Sequence, residues 1–245
     1  MSEHFQLRVK NRYLNRRQFL LLSSAAALST TLLQPAEAQT NALRFISVPP
    51  VHGGLPAGVI VCLHGSGGKA RSLASMASAL NLPDYQFLFP EAPYPDPSVP
   101  GGKMWYDLRS RDYKGLAQSR QQLTNWLKSL MGITGMPLES TILSGFSQGG
   151  AMTLDVGLTL PLAGLVSISG YLHSKPKPAA GRMPPVLMVQ GRLDQIVTKG
   201  EAQEARNSLE ALGVAVKYRE FNIGHEIKPP VVAEMRNFAV DILKY

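Results

Sequence analysis

Seven short apolar segments, rich in β-branched residues, recur along the chain, and most of them are bounded by Gly or Pro. Segments of this length between turn-forming residues are typical of buried β-strands. In chain order, the predicted strands are residues 43–48, 57–63, 85–89, 141–143, 164–169, 186–189 and 214–221.

Longer segments between these strands have the spacing of amphipathic helices. A helix is predicted over residues 114–131, and its apolar stripe consists of Leu116, Leu123, Trp126, Leu127 and Leu130. Further helices are predicted over residues 151–160, 201–212 and 231–243. Strands that alternate with helices predict an α/β fold, with a mostly parallel sheet flanked by helices on both faces. Residues 92–112, with four prolines and two glycines, are expected to form a long irregular loop, a kind that is usually functional.

The first 38 residues have the layout of an export signal. Basic residues precede a weakly apolar stretch over residues 19–33, and Ala36-Glu37-Ala38 matches the A-x-A pattern that signal peptidase cuts. The twin arginines at positions 16 and 17 are typical of a Tat signal, so the Tat export machinery is an expected transient partner. We predict residues 1–38 as a Tat-type signal peptide and 39–245 as a single domain, periplasmic or secreted after cleavage near Ala38. An amphipathic helix packed on the domain is the alternative.

The net charge of the chain is concentrated in that segment. The 245 residues include 25 Lys and Arg and 17 Asp and Glu, a formal net charge of +8. The predicted signal holds five of the basic and two of the acidic residues, which leaves 20 and 15, a net charge of +5. The remaining basic residues are scattered, which argues against a nucleic-acid partner. No apolar stretch reaches the ~18 residues of a membrane span, so no stable membrane anchor is expected, and a single cysteine excludes an internal disulfide framework.

A Gly-x-Ser-x-Gly motif follows the fourth predicted strand as Gly145-Phe146-Ser147-Gln148-Gly149, and a predicted helix comes after it. In this strand-turn-helix context the motif is a nucleophile elbow, whose sharp turn exposes the serine hydroxyl and leaves no room for Cβ atoms at the glycines. Ser147 is therefore the predicted nucleophile. A glycine-rich turn with an incidental serine is the alternative, against which the flanking strand and helix argue.

A serine nucleophile needs a base to take its proton and an acid to hold that base. At a nucleophile elbow the chain order is serine, acid, histidine. His225 lies between the last strand and the last helix, beyond every candidate acid, and is the predicted base; His173 is expected in a loop or pocket wall. Asp194, just past a strand, is the predicted acid, with a turn or N-cap role as its alternative. Asp155 is set aside because it lies two turns into a helix and is expected to point away.

Acyl transfer also requires hydrogen-bond donors for an oxyanion. The backbone N–H of Gln148, directly after the nucleophile, is one predicted donor. The second is assigned to the backbone N–H of Ser66, in the glycine-rich residues 64–68 after the second strand. His64 is expected to brace this loop. A phosphate-binding loop is the competing interpretation, but the G-x-x-x-x-G-K-[ST] pattern is absent.

Together these motifs resemble those of the carboxylesterase/phospholipase/acyl-protein thioesterase family of small α/β-hydrolases. They span nearly all of residues 39–245 and comprise Leu63-His64-Gly65-x-Gly67, Trp105-Tyr106-Asp107, Gly145-Phe146-Ser147-Gln148-Gly149-Gly150, Gly191-x-x-Asp194-x-x-Val197 and Gly224-His225-Glu226. The resemblance implies an α/β-hydrolase fold, the triad Ser147, Asp194 and His225, and the two oxyanion donors named above. It further suggests that Trp105 lines the acyl or alcohol pocket, unless that side chain belongs to the core. Ser66 stands where the family often has Leu.

The expected function is that of an exported serine hydrolase that cleaves short or medium carboxylic esters, as small-molecule substrates, through an acyl-enzyme. Only about residues 171–185 are available for a cap, which is too few for a cap domain and favours an open groove. Thioesterase, lysophospholipase, aryl-ester and polyester hydrolysis use the same residues and stay open, as does a non-catalytic binding protein on this fold. No cofactor and no metal are expected, since no His, Cys and carboxylate residues have ligand spacing. Cys62 is expected to be inert packing.

Overall fold

The computed structural model describes residues 43–110, 112–176 and 181–243. The predicted signal peptide, residues 1–38, lies outside the described residues, and so does the start of the predicted domain at residue 39; both boundaries stay predictions. The described strands are β1 (Phe45–Val48), β2 (Val59–Leu63), β3 (Gln86–Pro90), β4 (Tyr94–Pro95), β5 (Lys103–Met104), β6 (Thr141–Phe146), β7 (Gly164–Ile168), β8 (Val186–Gly191) and β9 (Val216–Phe221).

Seven of these strands form one sheet in the order β1-β3-β2-β6-β7-β8-β9. Strand β1 is antiparallel to β3, and all other neighbouring strands are parallel. Each of the seven corresponds to one predicted segment, and the predicted mostly parallel sheet is confirmed. The remaining two strands, β4 and β5, form a separate antiparallel pair within the segment expected to be irregular. Each is only two residues long, which is too short to leave a periodic pattern in the sequence.

Helices cover both faces of the sheet, as predicted. They are α1 (Ala70–Leu73), α2 (Ser75–Leu80), α3 (Leu116–Lys128), α4 (Leu130–Thr134), α5 (Gln148–Gly157), α6 (Lys199–Glu210) and α7 (Pro229–Ile242). The first two were not predicted, since four and six residues give too few apolar positions for a helical stripe. The helix predicted over residues 114–131 breaks at Ser129, whose Oγ donates to the Trp126 carbonyl at 2.7 Å and so competes with the helical backbone bonds.

The sheet separates two apolar layers. Alternate residues of β2 enter opposite layers because side chains of a strand alternate in direction. Val59, Val61 and Leu63 pack in the layer that contains α3, α5 and α6, whereas Ile60 and Cys62 pack in the layer that contains α2 and α7. Each buried Val or Leu contributes roughly 1.5–3 kcal/mol to folding. Burial raises the pKa of the Cys62 thiol to about 11, so the thiol stays protonated.

The parallel strands end at one common edge, where ligands bind in open α/β sheets. The loops that follow β2, β6, β8 and β9 meet there and carry the predicted functional residues. The described part of the connection from β7 to β8, residues 169–176 and 181–185, contains no helix or strand, and no separate cap covers this edge within the described ranges. Among the residues described, no helix has the length and apolar character needed to cross a membrane.

Candidate active site

Ser147 occupies the turn between β6 and α5 in a conformation that few side chains adopt. Its φ and ψ are 55° and −119°, outside the ordinary regions for a residue with a Cβ. The Ser147 N–H donates to the Ile168 carbonyl of the neighbouring strand at 2.8 Å and so holds the turn in place. A strained backbone of this kind costs of order 1–3 kcal/mol and persists only where the surrounding structure enforces it. The neighbouring strand therefore holds Ser147 in this conformation, directly after the carboxyl end of β6.

The two glycines of the motif allow this turn to close. A Cβ at Gly145 would overlap the Gly149 carbonyl, and a Cβ at Gly149 would overlap the Leu63 carbonyl at the end of β2. These obstacles are backbone atoms, which cannot rotate away as the end of a side chain can. Glycine is therefore required at both positions for β2, β6 and α5 to approach one another, as the sequence analysis expected.

The structure brings Ser147, His225 and Asp194 into one chain of hydrogen bonds. His225 Nε2 lies 2.9 Å from Ser147 Oγ, and His225 Nδ1 lies 2.8 Å from Asp194 Oδ2. Both distances are within the range for proton transfer between a nucleophile, its base and the residue that orients the base. The imidazole packs at 4.8 Å, centroid to centroid, from the Phe146 ring, and 19% of the side chain is exposed.

The environment of Asp194 keeps its carboxylate ionised. Its Oδ1 accepts hydrogen bonds from the backbone N–H groups of Ile196 at 2.9 Å and Val197 at 3.0 Å. Burial alone would raise the pKa of Asp194, but these bonds and the one with His225 outweigh it and hold the pKa below its ordinary value. An ionised carboxylate only accepts hydrogen bonds, so His225 carries its proton on Nδ1. Nε2 is then free to accept the proton of Ser147.

A second histidine and aspartate pair lies beside the site but does not reach the serine. His173 Nδ1 lies 2.6 Å from Asp155 Oδ2, and Arg120 donates to the same oxygen at 2.7 Å. The His173 ring is surrounded by the rings of Tyr106, Tyr113 and Tyr171 at 4.6–5.4 Å. His173 thus stands in the pocket wall, one of the two places expected for it. Sequence reasoning missed its pairing with Asp155, which had been set aside as pointing away.

The two predicted oxyanion donors border the serine. Gln148 begins α5, where the first N–H groups of a helix lack intrahelical acceptors. On the other side, a Cβ at Gly65 would lie 3.2 Å from the Ser147 Cβ, so the loop that holds Ser66 passes close to the nucleophile. Within the described residues, neither the Ser66 nor the Gln148 backbone N–H has a backbone acceptor. This agrees with the predicted role of the two N–H groups, which requires that they have no acceptor in the free protein.

Buried side chains hold the loop of residues 64–68 in place. His64 Nε2 accepts from the Ala92 N–H at 3.1 Å, so the Nδ1 proton is donated to the Gly65 carbonyl at 2.7 Å. Burial lowers the pKa of His64 and favours this neutral ring. The expectation that His64 braces the loop agrees with these contacts.

Trp105 does not line the substrate pocket, contrary to the expectation. Its side chain is 0% exposed, and it packs in the apolar core. Its Nε1 donates to the His64 carbonyl at 2.9 Å, and its backbone N–H donates to Gln148 Oε1 at 2.7 Å. Gln148 Nε2 in turn donates to the Tyr106 carbonyl at 2.8 Å. Trp105 therefore holds both segments that carry the predicted oxyanion donors and has no surface to offer a substrate.

An open groove of about 520 Å³ begins at Ser147 and runs between four segments. The size is typical of a site for a small molecule. The segments are the loop after β5, the loop after β7, the loop after β8, and α6. They contribute, among others, Leu108, Tyr113, His173, Lys175, Val197 and Glu204. A second cavity of about 600 Å³ continues along α6 and shares Lys175, Glu204 and Ser208 with the first. The described residues include no group of three or more His, Cys, Asp or Glu that could hold a metal ion.

The chain is similar in sequence and in fold to proteins of known family. The sequence matches the phospholipase/carboxylesterase family over residues 50–242. It is 29% identical over 198 residues to acyl-protein thioesterase 1 of Neurospora crassa, covering 68% of this chain and 79% of the relative. Among solved structures, esterase PE8 has a TM-score of 0.76 at 30% identity, with 82% of this chain and 99% of that chain covered. Acyl-protein thioesterase 2 of Zea mays, with a TM-score of 0.67, 24% identity and coverage of 82% and 99%, shares the fold.

Proposed function

Because the chain belongs to the phospholipase/carboxylesterase family of α/β-hydrolases and is thus an ester-bond hydrolase, we propose that it is an exported serine esterase with a Ser-Asp-His triad. Ser147 is the nucleophile, His225 the general base and Asp194 the residue that orients it. The observation that carries the proposal is the pair of hydrogen bonds, 2.9 and 2.8 Å long, that connects these three side chains. A non-catalytic protein has no need of a strained serine in contact with a histidine.

The geometry supports a two-step reaction. Ser147 Oγ bonds to the ester carbonyl carbon while its proton passes to His225 Nε2, and the Ser66 and Gln148 N–H groups bind the resulting oxyanion. Collapse of this intermediate breaks the carbon–oxygen bond to the alcohol, which leaves with the proton from His225. A water molecule then gives its proton to His225 and attacks the acyl-enzyme. The carboxylic acid departs, and Ser147 recovers its proton.

The groove supports short or medium carboxylic esters as substrates. It is open along its length, and no cap covers it in the described residues, so a long lipid chain would remain partly in water. Exposing an alkyl chain forfeits about 0.8 kcal/mol for each CH₂ left unburied, which removes the advantage of longer acyl groups. Thioester hydrolysis is a second candidate, because relatives of this chain are named acyl-protein thioesterases.

A panel of p-nitrophenyl esters from acetate to palmitate, with matched acyl thioesters, tests the substrate class. We expect kcat/KM to be highest with acetate, butyrate or another short to medium acyl group and to fall with palmitate. Higher kcat/KM with thioesters than with esters of the same acyl group would favour the thioesterase, and a maximum at palmitate would contradict the substrate range. A fluorophosphonate probe provides the control for catalysis, since absence of a covalent adduct at Ser147 would favour a binding protein.

Export is supported by the amino-acid sequence of residues 1–38. The proposed Tat signal places the enzyme in the periplasm or outside the cell. When the full chain is produced in a bacterium with a Tat system, N-terminal sequencing of the exported protein is expected to begin near Gln39. Replacing Arg16 and Arg17 with lysine should keep the charge and prevent export by that route. An exported protein that begins at Met1 would refute cleavage.

A further inference from the structure

Asp96 is a buried carboxylate that lies outside the triad and contacts the loop of Ser66. It follows β4, and the residue is 8% exposed. Its Oδ2 accepts a hydrogen bond from Ser66 Oγ at 2.7 Å, while its Oδ1 accepts from the Ser98 backbone N–H at 2.9 Å and from the Ser98 hydroxyl. Hydrogen bonds from neutral donors to an ionised acceptor are roughly twice as strong as neutral ones. One side chain thus connects the β4–β5 hairpin to a predicted oxyanion donor.

The hairpin that carries Asp96 is itself bonded to the residues after Ser66. The Asp96 N–H donates to the Gly102 carbonyl at 2.9 Å, which closes the turn between β4 and β5. The Gly67 N–H donates to the Lys103 carbonyl, and the Lys103 N–H donates to the Gly68 carbonyl, both at 2.9 Å. Ser66 is therefore fixed through its side chain as well as through the following residues, although the residue is exposed.

We propose that Asp96 is a positioning residue for the oxyanion hole: its carboxylate holds the Ser66 hydroxyl and thereby aims the Ser66 backbone N–H at the reacting carbonyl. This inference rests on the proposed function. An oxyanion donor is effective only when its direction is set before the charge develops, and loss of one donor lowers kcat by about 10²–10³-fold. The role expected of Ser66 from the sequence uses its backbone alone, whereas the proposed positioning uses its hydroxyl as well.

If Asp96 acted through its charge alone, its removal would change kcat in the opposite direction from the one that positioning predicts. A negative carboxylate near the oxyanion hole repels the developing negative charge, so removing that charge would raise kcat. Positioning predicts that kcat falls when the hydrogen bond to Ser66 is lost. Asp96→Asn separates the electrostatic effect from positioning, because it removes the negative charge and keeps the shape of the side chain. The amide has one acceptor oxygen for either Ser66 or Ser98, and it turns an N–H donor toward the other of these two residues. We expect Asp96→Asn to retain more activity than Asp96→Ala and less than the wild type.

The test is a double-mutant cycle of Ser66→Ala and Asp96→Ala, with p-nitrophenyl butyrate as substrate. Each single variant is expected to lower kcat by roughly 10- to 50-fold, less than the loss of a whole donor, with KM within about twofold. The double variant should be no slower than the slower single variant, because both changes remove the same interaction. The rate of inactivation by a fluorophosphonate, whose phosphoryl oxygen binds in the oxyanion hole, should fall in parallel with kcat.

Ser98→Ala is the matched control, since it removes the hydroxyl bond to Asp96 Oδ1 and leaves the backbone N–H bond and the Ser66 contact; kcat should change less than threefold. A folded Ser66→Ala variant with kcat within twofold of the wild type would overturn the proposal, and so would effects that multiply in the double variant. Ser66 is exposed, so this variant remains informative even if Asp96→Ala does not fold. Wild-type protein that neither hydrolyses the ester nor labels at Ser147 would instead count against the proposed function.

Discussion

Replacing Ser147 with alanine is expected to lower kcat for p-nitrophenyl butyrate by on the order of 10⁶-fold, since a triad without its nucleophile keeps only oxyanion binding and substrate orientation. Alanine is as strained as serine at a φ of 55°, so the turn itself should not relax. The exchange removes one partly buried hydrogen bond, with His225. The free energy of unfolding should therefore change by about 1 kcal/mol or less. Steady-state kinetics and thermal denaturation of the purified variant measure both effects.

Ser174→Ala provides the matched control. Ser174 lines the same groove but has no contact with His225 in the described structure, so its loss should leave kcat within about threefold. Retention of full activity by Ser147→Ala, or a comparable loss in both variants, would refute the assignment of the nucleophile. Labelling by a fluorophosphonate should disappear in Ser147→Ala and persist in Ser174→Ala.

Replacing Asp194 with asparagine is expected to lower kcat by about 10⁴-fold with little change in the fold. The carbonyl oxygen of asparagine can still accept from the Ile196 and Val197 N–H groups, which keeps the loop. Its amide nitrogen, however, would donate to His225 Nδ1 and shift the imidazole proton to Nε2. A protonated Nε2 cannot accept the proton of Ser147, so the base is lost although the side chains keep their places.

Asp155→Asn is the control that shows whether the loss of kcat is specific to Asp194. Asp155 is the other aspartate of the described residues that contacts a histidine. Its partners are His173 and Arg120, so the change should reduce stability by roughly 1–3 kcal/mol while kcat falls less than tenfold. Equal losses of kcat in Asp155→Asn and Asp194→Asn would show that the second pair takes part in the reaction. Kinetics on both variants at a temperature well below their melting points decides between these outcomes.

The positions that sequence reasoning placed correctly are those whose signal is local. Strand β2, for example, is the apolar run Val59–Leu63, and Gly145 with Gly149 identifies the turn between a strand and a helix. His225 and Asp194 could be chosen by chain order and by their place after strands. Their catalytic roles stay predictions, to be decided by the variants above.

The features that sequence reasoning missed depend on pairings between distant residues. Ser66 and Asp96 are 30 positions apart, and nothing in the proline-rich segment around Asp96 indicates that its carboxylate accepts a hydrogen bond from the loop of residues 64–68. Asp155 was set aside because it lies on the helix after the nucleophile, yet the structure pairs it with His173 from the next loop. The pocket role expected for Trp105 came from the resemblance, and the structure shows the alternative, a core position. An aromatic residue beside a long loop gives the same local pattern in both cases.

The separation between the groove wall and the residues proposed for chemistry has a consequence for evolution and for design. Ser147, Asp194 and His225 follow β6, β8 and β9, whereas much of the groove wall comes from residues 171–175 and the exposed side of α6. Substitutions in these wall residues can accumulate without displacing the hydrogen-bonded side chains. Selection for a new ester can therefore act on one loop and one helix face while the inherited chemistry is left intact, which makes these segments the natural targets for directed evolution of substrate range.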